Sequence, residues 1–259
     1  MKKLALITGA STGIGFELAS IAAAEGYDLL VAADEDLINA AAADFEQHGG
    51  DVIAVEVDLS SPAGVDHMLM QLNGRQVDVL CANAGVGIGG PFLDQEMGNW
   101  RHSVDTNITG TVYLLQQVLK QMVARGEGRI LVTGSIAGYI PGSFNAVYNA
   151  TKAFIDNFTD ALRNELKDYE NITLTTLMPG ATDTEFFARA NMLDTKVGAD
   201  DNKADPFQVA QDGWNALMAG DDRIISGFKN KLQVAASGIV PVAVLAEQHR
   251  KMAEPGTAE

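Results

Sequence analysis

The chain has 259 residues, a formal net charge of −16 and 47% hydrophobic residues, enough for one sizeable core. The acidic balance argues against nucleic acid or anionic membrane as a partner, since both are met by clustered Lys and Arg. The single cysteine, Cys81, excludes an intramolecular disulfide and a thiolate metal cluster, and His48, His67, His102 and His249 show no metal spacing.

No apolar run approaches the roughly 18 residues of a membrane span. The opening apolar run breaks at Thr8-Gly9, too soon for a signal peptide. The expectation is a soluble cytoplasmic protein without a metal.

Residues 3–7 read as a first strand, ending in Thr8-Gly9-Ala10-Ser11-Thr12-Gly13-Ile14-Gly15. A helical pattern follows from Phe16 and stops at Gly26. Such a turn lets a phosphate approach the backbone, and the helix N-terminus favours the anion. The spacing is Gly-x-x-x-Gly-x-Gly, not the Gly-x-Gly-x-x-Gly of the general dinucleotide fingerprint. A second strand, 28–33, leads into Asp34-Glu35-Asp36. An acid there binds both ribose hydroxyls of NAD and repels the 2′-phosphate of NADP. The same triplet also suits the first turn of the next helix, 37–47.

Residues 51–57 form a third strand, ending in Asp58-Leu59-Ser60-Ser61-Pro62, with Asp58 a candidate N-cap for a helix over 63–72. The fourth strand, 77–82, runs into Asn83-Ala84-Gly85. Gly85, Gly87 and Gly90 match the dinucleotide spacing, but Pro91 and Phe92 follow and no helix opens, so the match is read as a decoy. A long helix is expected over 99–125, with the amide of Asn107 inside its apolar stripe as a satisfied core or helix-bending residue.

The fifth strand, 129–133, leads to Ser135. The helix after it, about 146–169, carries Tyr148 and Lys152 at i and i+4, on one face and one turn apart. A free phenol has a pKa of about 10, too high for efficient proton transfer at neutral pH. A cation one turn away lowers it, which makes the pair a candidate general acid/base. The sixth strand, 172–177, leads to Pro179-Gly180-Ala181-Thr182-Asp183-Thr184. Residues of about 183–206 are polar and irregular and read as a lid. A helix over 207–218, a last strand over 223–226, a helix around 244–252 and a frayed tail over 255–259 complete the chain. Residues 1–228 read as one cofactor-binding and catalytic domain, and 229–259 as its extension.

Alternating strands and helices mean an α/β fold: a doubly wound parallel sheet in three layers, in a single domain. Ligands bind beyond the carboxyl ends of such strands, and six strand ends here carry glycine-rich or polar segments. Thr8-Gly9-x-x-x-Gly13-x-Gly15, Asp58-Leu59, Asn83-Ala84-Gly85, Asn107, Ser135, Tyr148-x-x-x-Lys152 and Pro179-Gly180-x-x-x-Thr184 together resemble the short-chain dehydrogenase/reductase family over about residues 3–226.

The resemblance implies a Rossmann-type sheet, a nicotinamide cofactor and a catalytic tetrad of Asn107, Ser135, Tyr148 and Lys152. In that scheme Tyr148 moves the proton on the substrate oxygen, and Lys152 lowers its pKa and holds the nicotinamide ribose. Ser135 binds the carbonyl, and Asn107 holds a water that links Lys152 to solvent. The cofactor contacts implied are Gly9, Ser11, Thr12, Gly13, Ile14, Gly15, Asp34, Asp58, Leu59, Asn83, Ala84, Gly85, Tyr148, Lys152, Pro179, Gly180, Thr182 and Thr184. Ser11, Thr12, Asp34 and Glu35 stand where relatives preferring NADP carry Arg or Lys. No cation is expected for a 2′-phosphate, and NAD is preferred with NADP left open. Asp34 falls one place beyond the family's usual selecting acid, where Ala33 stands.

The substrate pocket is expected from residues 86–93, 136–147 and the lid. Ile136, Tyr139, Ile140, Phe144, Phe186, Phe187 and Met192 would make it apolar, fitting a hydrophobic secondary alcohol or ketone. An epimerase or dehydratase of the extended relatives fits less well, because only about 30 residues follow the last strand. A non-catalytic NAD(P)-binding regulator or scaffold on the same fold is the other alternative. The resemblance also implies a homo-oligomer, a dimer or tetramer, through the two long helices.

Overall fold

The computed structural model describes residues 2–258. Seven strands, β1 Leu4–Thr8, β2 Asp28–Ala33, β3 Val52–Glu56, β4 Val79–Ala82, β5 Gly128–Thr133, β6 Ile172–Met178 and β7 Arg223–Ile225, form one parallel sheet in the order β3-β2-β1-β4-β5-β6-β7. The order reverses between β1 and β4, where such sheets open a crevice at their carboxyl edge.

The central strands β1, β2, β4 and β5 are largely apolar because both faces are covered. Ala5, Ile7, Leu29, Val31 and Cys81 face α1 (Gly13–Ala24), α2 (Leu37–Glu46) and α8 (Pro206–Ala219), whose Leu18, Phe45 and Trp214 are buried there. Leu4, Leu6, Leu30, Leu80 and Ile130 face α3 (Pro62–Met70), α5 (Thr111–Arg125) and α6 (Ala146–Glu165), which contribute Met68, Val118 and Ile155. Register keeps the sets apart: Leu6 pairs with Leu30 on one side and Leu80 on the other, all on the second face.

The structure refines several expectations. The long helix over 99–125 is three pieces: α4 (Met97–Val104), a π-helical stretch Asp105–Gly110, and α5. The N-cap of α3 is Ser61, whose hydroxyl accepts from the Gly64 amide, rather than Asp58. Asp58 instead accepts from the amide and hydroxyl of Ser60, both at 2.8 Å.

The expected lid contains a short helix, α7 (Phe186–Arg189), and buries Phe187, Ala190 and Met192. Beyond β7 come α9 (Phe228–Ser237), which the sequence pattern missed, and α10 (Val242–Ala253). The expected frayed tail, 255–259, is ordered over its described residues 255–258, Glu259 lying outside the described residues. The amides of Gly256 and Ala258 donate to Asp194, and Thr257 Oγ1 accepts from the Lys196 amide, so this segment straps the lid. Among the described residues no helix is long and apolar enough to cross a membrane.

Candidate active site

The glycine turn sits between β1 and α1. Gly9 and Gly13 adopt φ of +66° and +58°, a region that favours glycine. A Cβ on Gly15 would collide with the Gly9 carbonyl, and one on Gly13 would reach Thr184. The turn is therefore a bare-backbone cradle against the N-terminus of α1, shaped for a pyrophosphate. Asn83 locks it: its Nδ2 donates to the carbonyls of Thr8 (3.2 Å) and Gly9 (3.3 Å), and Thr133 Oγ1 donates to its Oδ1.

A cleft of about 560 Å³ runs from this turn along the carboxyl edge of the sheet. Gly9, Thr12, Gly13, Ile14, Asp34, Asp58, Leu59, Asn83, Ala84, Gly85, Pro179, Gly180, Thr182 and Thr184 line it, as do Ser135, Tyr148 and Lys152. Three expected site residues do not. Ser11 turns its hydroxyl to Glu35, and Gly15 packs behind the turn. Asn107 is buried beside the cleft.

Ser135, Tyr148 and Lys152 meet at mid-cleft. Ser135 is held by the end of β5, its Oγ accepting from the Ala137 amide at 3.0 Å. Tyr148 and Lys152 lie on α6. The ammonium of Lys152 is 5.8 Å from the Tyr148 ring centroid and donates to the Thr133 carbonyl at 2.7 Å. Burial pushes the Tyr148 phenol up to about 12, while the Ser135 hydroxyl acts to lower it and the Asp156 carboxylate to raise it. In this arrangement the Ser135 hydroxyl favours the phenolate, with the Lys152 ammonium one turn away on the same helix. Burial lowers the pKa of Lys152 itself, against the opposing charge of Asp156 one turn further along α6. Asp156 is raised, chiefly by its own burial, and Lys152 opposes that rise.

Asn107 is engaged by its protein neighbours. Its Oδ1 accepts from the Val86 amide (2.7 Å), and its Nδ2 donates to the Val86 carbonyl and to Thr151 Oγ1 (both 2.9 Å). The side chain thus clamps the strand-four loop to α6, with both polar atoms engaged. The π-helical stretch aims it there. Gly110 lets the Leu59 carbonyl approach this helix where a Cβ would collide.

The apolar end of the cleft is lined by Val86, Ile136, Ile140, Phe186, Phe187 and Met192. Phe186 packs on Tyr148, with ring centroids 4.9 Å apart. Two expected pocket residues lie elsewhere. Tyr139 turns its hydroxyl toward Met178 and Arg223, and Phe144 packs under Arg250. The second glycine run has a purpose after all. Side chains on Gly87 and Gly89 would strike Phe186 and Met192, so bare backbone seats the lid there.

Sequence reading missed four cleft residues from the C-terminal helices: Asn230, Gln233, His249 and Met252. His249 is buried, and its Nδ1 lies 2.8 Å from the Ser143 carbonyl. An apolar pattern predicted its helix but carried no signal for where that helix docks. The expectation of no cation near the ribose end is also corrected. Arg189 of α7 reaches Glu35 at 2.8 Å and Thr12 at 3.4 Å. No local motif could announce a contact spanning more than 150 residues.

Comparison with known proteins agrees with this geometry. The family model described as short chain dehydrogenase matches residues 3–193. An uncharacterised oxidoreductase of Staphylococcus epidermidis is 31% identical over 186 residues, 71% of this chain and 79% of that one. A short-chain dehydrogenase from Sphingobium yanoikuyae, solved in complex with NADPH, superposes with a TM-score of 0.81 at 27% identity, covering 92% and 94% of the two chains. The fold alone is shared with a Burkholderia phymatum short-chain dehydrogenase/reductase solved with NAD, at a TM-score of 0.83 and 22% identity over 90% and 92%. With its glycine cradle, its Ser135–Tyr148–Lys152 cluster and a match over most of its length, the chain belongs to the short-chain dehydrogenase family of oxidoreductases.

Proposed function

We propose that the protein catalyses reversible hydride transfer between NAD and an apolar secondary alcohol or its ketone. The observation that carries this is the position of Ser135, Tyr148 and Lys152 between the glycine cradle and the apolar end of one cleft. Residues of Gly9–Ile14 and Gly180–Thr184 would hold a dinucleotide along the cleft that Tyr148 also lines. Asp34 makes no side-chain hydrogen bond among the described residues and remains available for a ribose diol, which supports NAD.

A nicotinamide held there would supply or accept the hydride. This chain does the rest. In reduction, Ser135 Oγ donates to the carbonyl oxygen, and Tyr148 Oη gives that oxygen its proton as the carbon gains the hydride. In oxidation the proton returns to Tyr148. Lys152 holds positive charge beside the phenol, anchored by Thr133. Phe186 and Met192 exclude water from the reacting carbon.

The reaction takes place in the cytoplasm, in a dimer or tetramer built on α5 and α6. The parallel-stacked pair Phe154–Phe158, 5.9 Å apart with Phe154 43% exposed, supports an interface on that face.

The test follows nicotinamide absorbance with a panel of apolar ketones and alcohols. Wild type should turn over with NADH, and Tyr148→Phe should lose turnover while keeping its dissociation constant for NADH. Equal turnover in Tyr148→Phe would refute the role given to the phenol. Tight cofactor binding without turnover across the panel would favour a regulator.

A further inference from the structure

Three segments distant in sequence meet at the outer end of the cleft. The glycine turn brings Ser11 and Thr12, the end of β2 brings Glu35, and the lid helix α7 brings Arg189. Oε1 of Glu35 accepts from Ser11 Oγ and from Arg189 Nη2, the latter at 2.8 Å. The same guanidinium nitrogen lies 3.4 Å from Thr12 Oγ1. Among the described residues lining the cleft, Arg189 and Lys152 are the only Lys or Arg, and Lys152 is committed to Thr133 at the other end. Asp34, next to Glu35, lines the cleft and is exposed.

This places two acids and one cation around the site where an adenosine ribose would lie. One acid is neutralised by the cation, and the other is free. A ribose diol offers hydroxyls that Asp34 can accept, and it leaves the Glu35–Arg189 pair intact. A 2′-phosphate brings about two negative charges and prefers a bidentate guanidinium. It can be held only by drawing Arg189 away from Glu35, which uncovers a second carboxylate beside it.

We propose that Arg189 and Glu35 form a clasp that fastens the lid over the adenosine end of the cofactor and discriminates at the ribose 2′ position. The clasp stays shut over a diol and is split by a 2′-phosphate. The inference rests on the nicotinamide cofactor proposed above. It differs from selection by Asp34 alone, because the deciding cation comes from the lid rather than from the glycine turn or β2. The lid's closure and the choice of cofactor thereby become one event.

The experiment needs no substrate. Dissociation constants for NADH and for NADPH are measured by nicotinamide fluorescence in wild type, Glu35→Gln, Arg189→Gln and the double variant, at low and high salt. Both side chains are surface groups, 28% and 44% exposed, so the fold is retained and the effects are modest. For NADH, each single variant should weaken binding by up to about five-fold, with the double no worse than either single. High salt should weaken the wild type toward the variants. For NADPH the two substitutions should act with opposite signs. Glu35→Gln removes a repelling charge and frees Arg189, tightening binding, whereas Arg189→Gln weakens it. Additive effects on NADH, or the same sign for both variants on NADPH, overturn the clasp while leaving the cofactor assignment standing. No binding of either nucleotide to the wild type overturns the clasp and the proposed function together.

Discussion

Lys152 donates from Nζ to the main-chain carbonyl of Thr133 at 2.7 Å. The last residue of β5 therefore fixes the cation that stands beside Tyr148. The side chain of Lys152 is buried, so its charge is held by this carbonyl and by the more distant Asp156 rather than by water.

This bears on the direction the site favours. Burial pushes the Tyr148 phenol up to about 12, so in the protein it carries its proton throughout the neutral range. Its proton is in place for reduction, and the phenolate that must accept one in oxidation is scarce. Ketone reduction should be nearly independent of pH from about 5 to 7, below the range in which Lys152 titrates, whereas alcohol oxidation should rise with pH as the phenolate becomes accessible. Lys152→Met should lower both by about 10²–10⁴-fold. Profiles of kcat/KM in the two directions check this; oxidation that fell with rising pH would contradict it.

Asp156 gives a stability prediction. It is buried on α6, one turn beyond Lys152, and neither carboxylate oxygen has a hydrogen-bond partner among the described residues. Burial raises its pKa. A carboxyl with a raised folded pKa keeps its proton where the unfolded chain has released it, so it favours folding at low pH. That contribution fades as pH rises from the ordinary carboxylate range toward neutrality. Asp156→Asn cannot titrate and should flatten the decline by roughly 2 kcal/mol, read from urea unfolding across that range. Lys152 titrates above this window, where its lowered pKa acts in the opposite sense. Parallel curves for the two proteins would show that the folded protein leaves the Asp156 carboxyl unperturbed.

Asn107 separates clamp from catalyst. Its amide satisfies the amide and carbonyl of Val86 together with Thr151. Asn107→Leu strands these partners and should cost about 2–3 kcal/mol of unfolding free energy. Asn107→Asp keeps the acceptor for the Val86 amide but sets a carboxylate against the Val86 carbonyl, and should be destabilised as well. Urea unfolding measures both. Full stability in Asn107→Leu would remove the clamp.

Much of this was legible because strands declare themselves locally. Each is an apolar run with a glycine or a polar residue at its carboxyl end, and parallel pairing follows from alternation with helices. Gly9 to Gly15 and the Tyr148–Lys152 pair needed no tertiary information, since turn chemistry and one-turn spacing place them, while the parts given to Asn83 and Ser135 came from the resemblance to the family. What escaped depends on long-range packing. The helix α9 was invisible because its Phe228 and Leu232 remain exposed, 75% and 57%, so no apolar stripe marks it. Arg189 and His249 owe their positions to how the lid and α10 dock. The pKa balance at Tyr148 depends on burial, which spacing cannot report.

The π-helical stretch Asp105–Gly110 has a consequence for the chain's length. A π turn holds one residue more than an α turn needs, and its hydrogen bonds are no better for it. Removing one residue there would restore an uninterrupted α-helix and rotate everything after the cut by about 100° relative to what precedes it. Asn107 would then face away from Val86, and Gly110 would no longer meet Leu59. A shorter, more regular helix would thus be a misaligned one: the surplus residue acts as a spacer that sets the angular phase between α4 and α5.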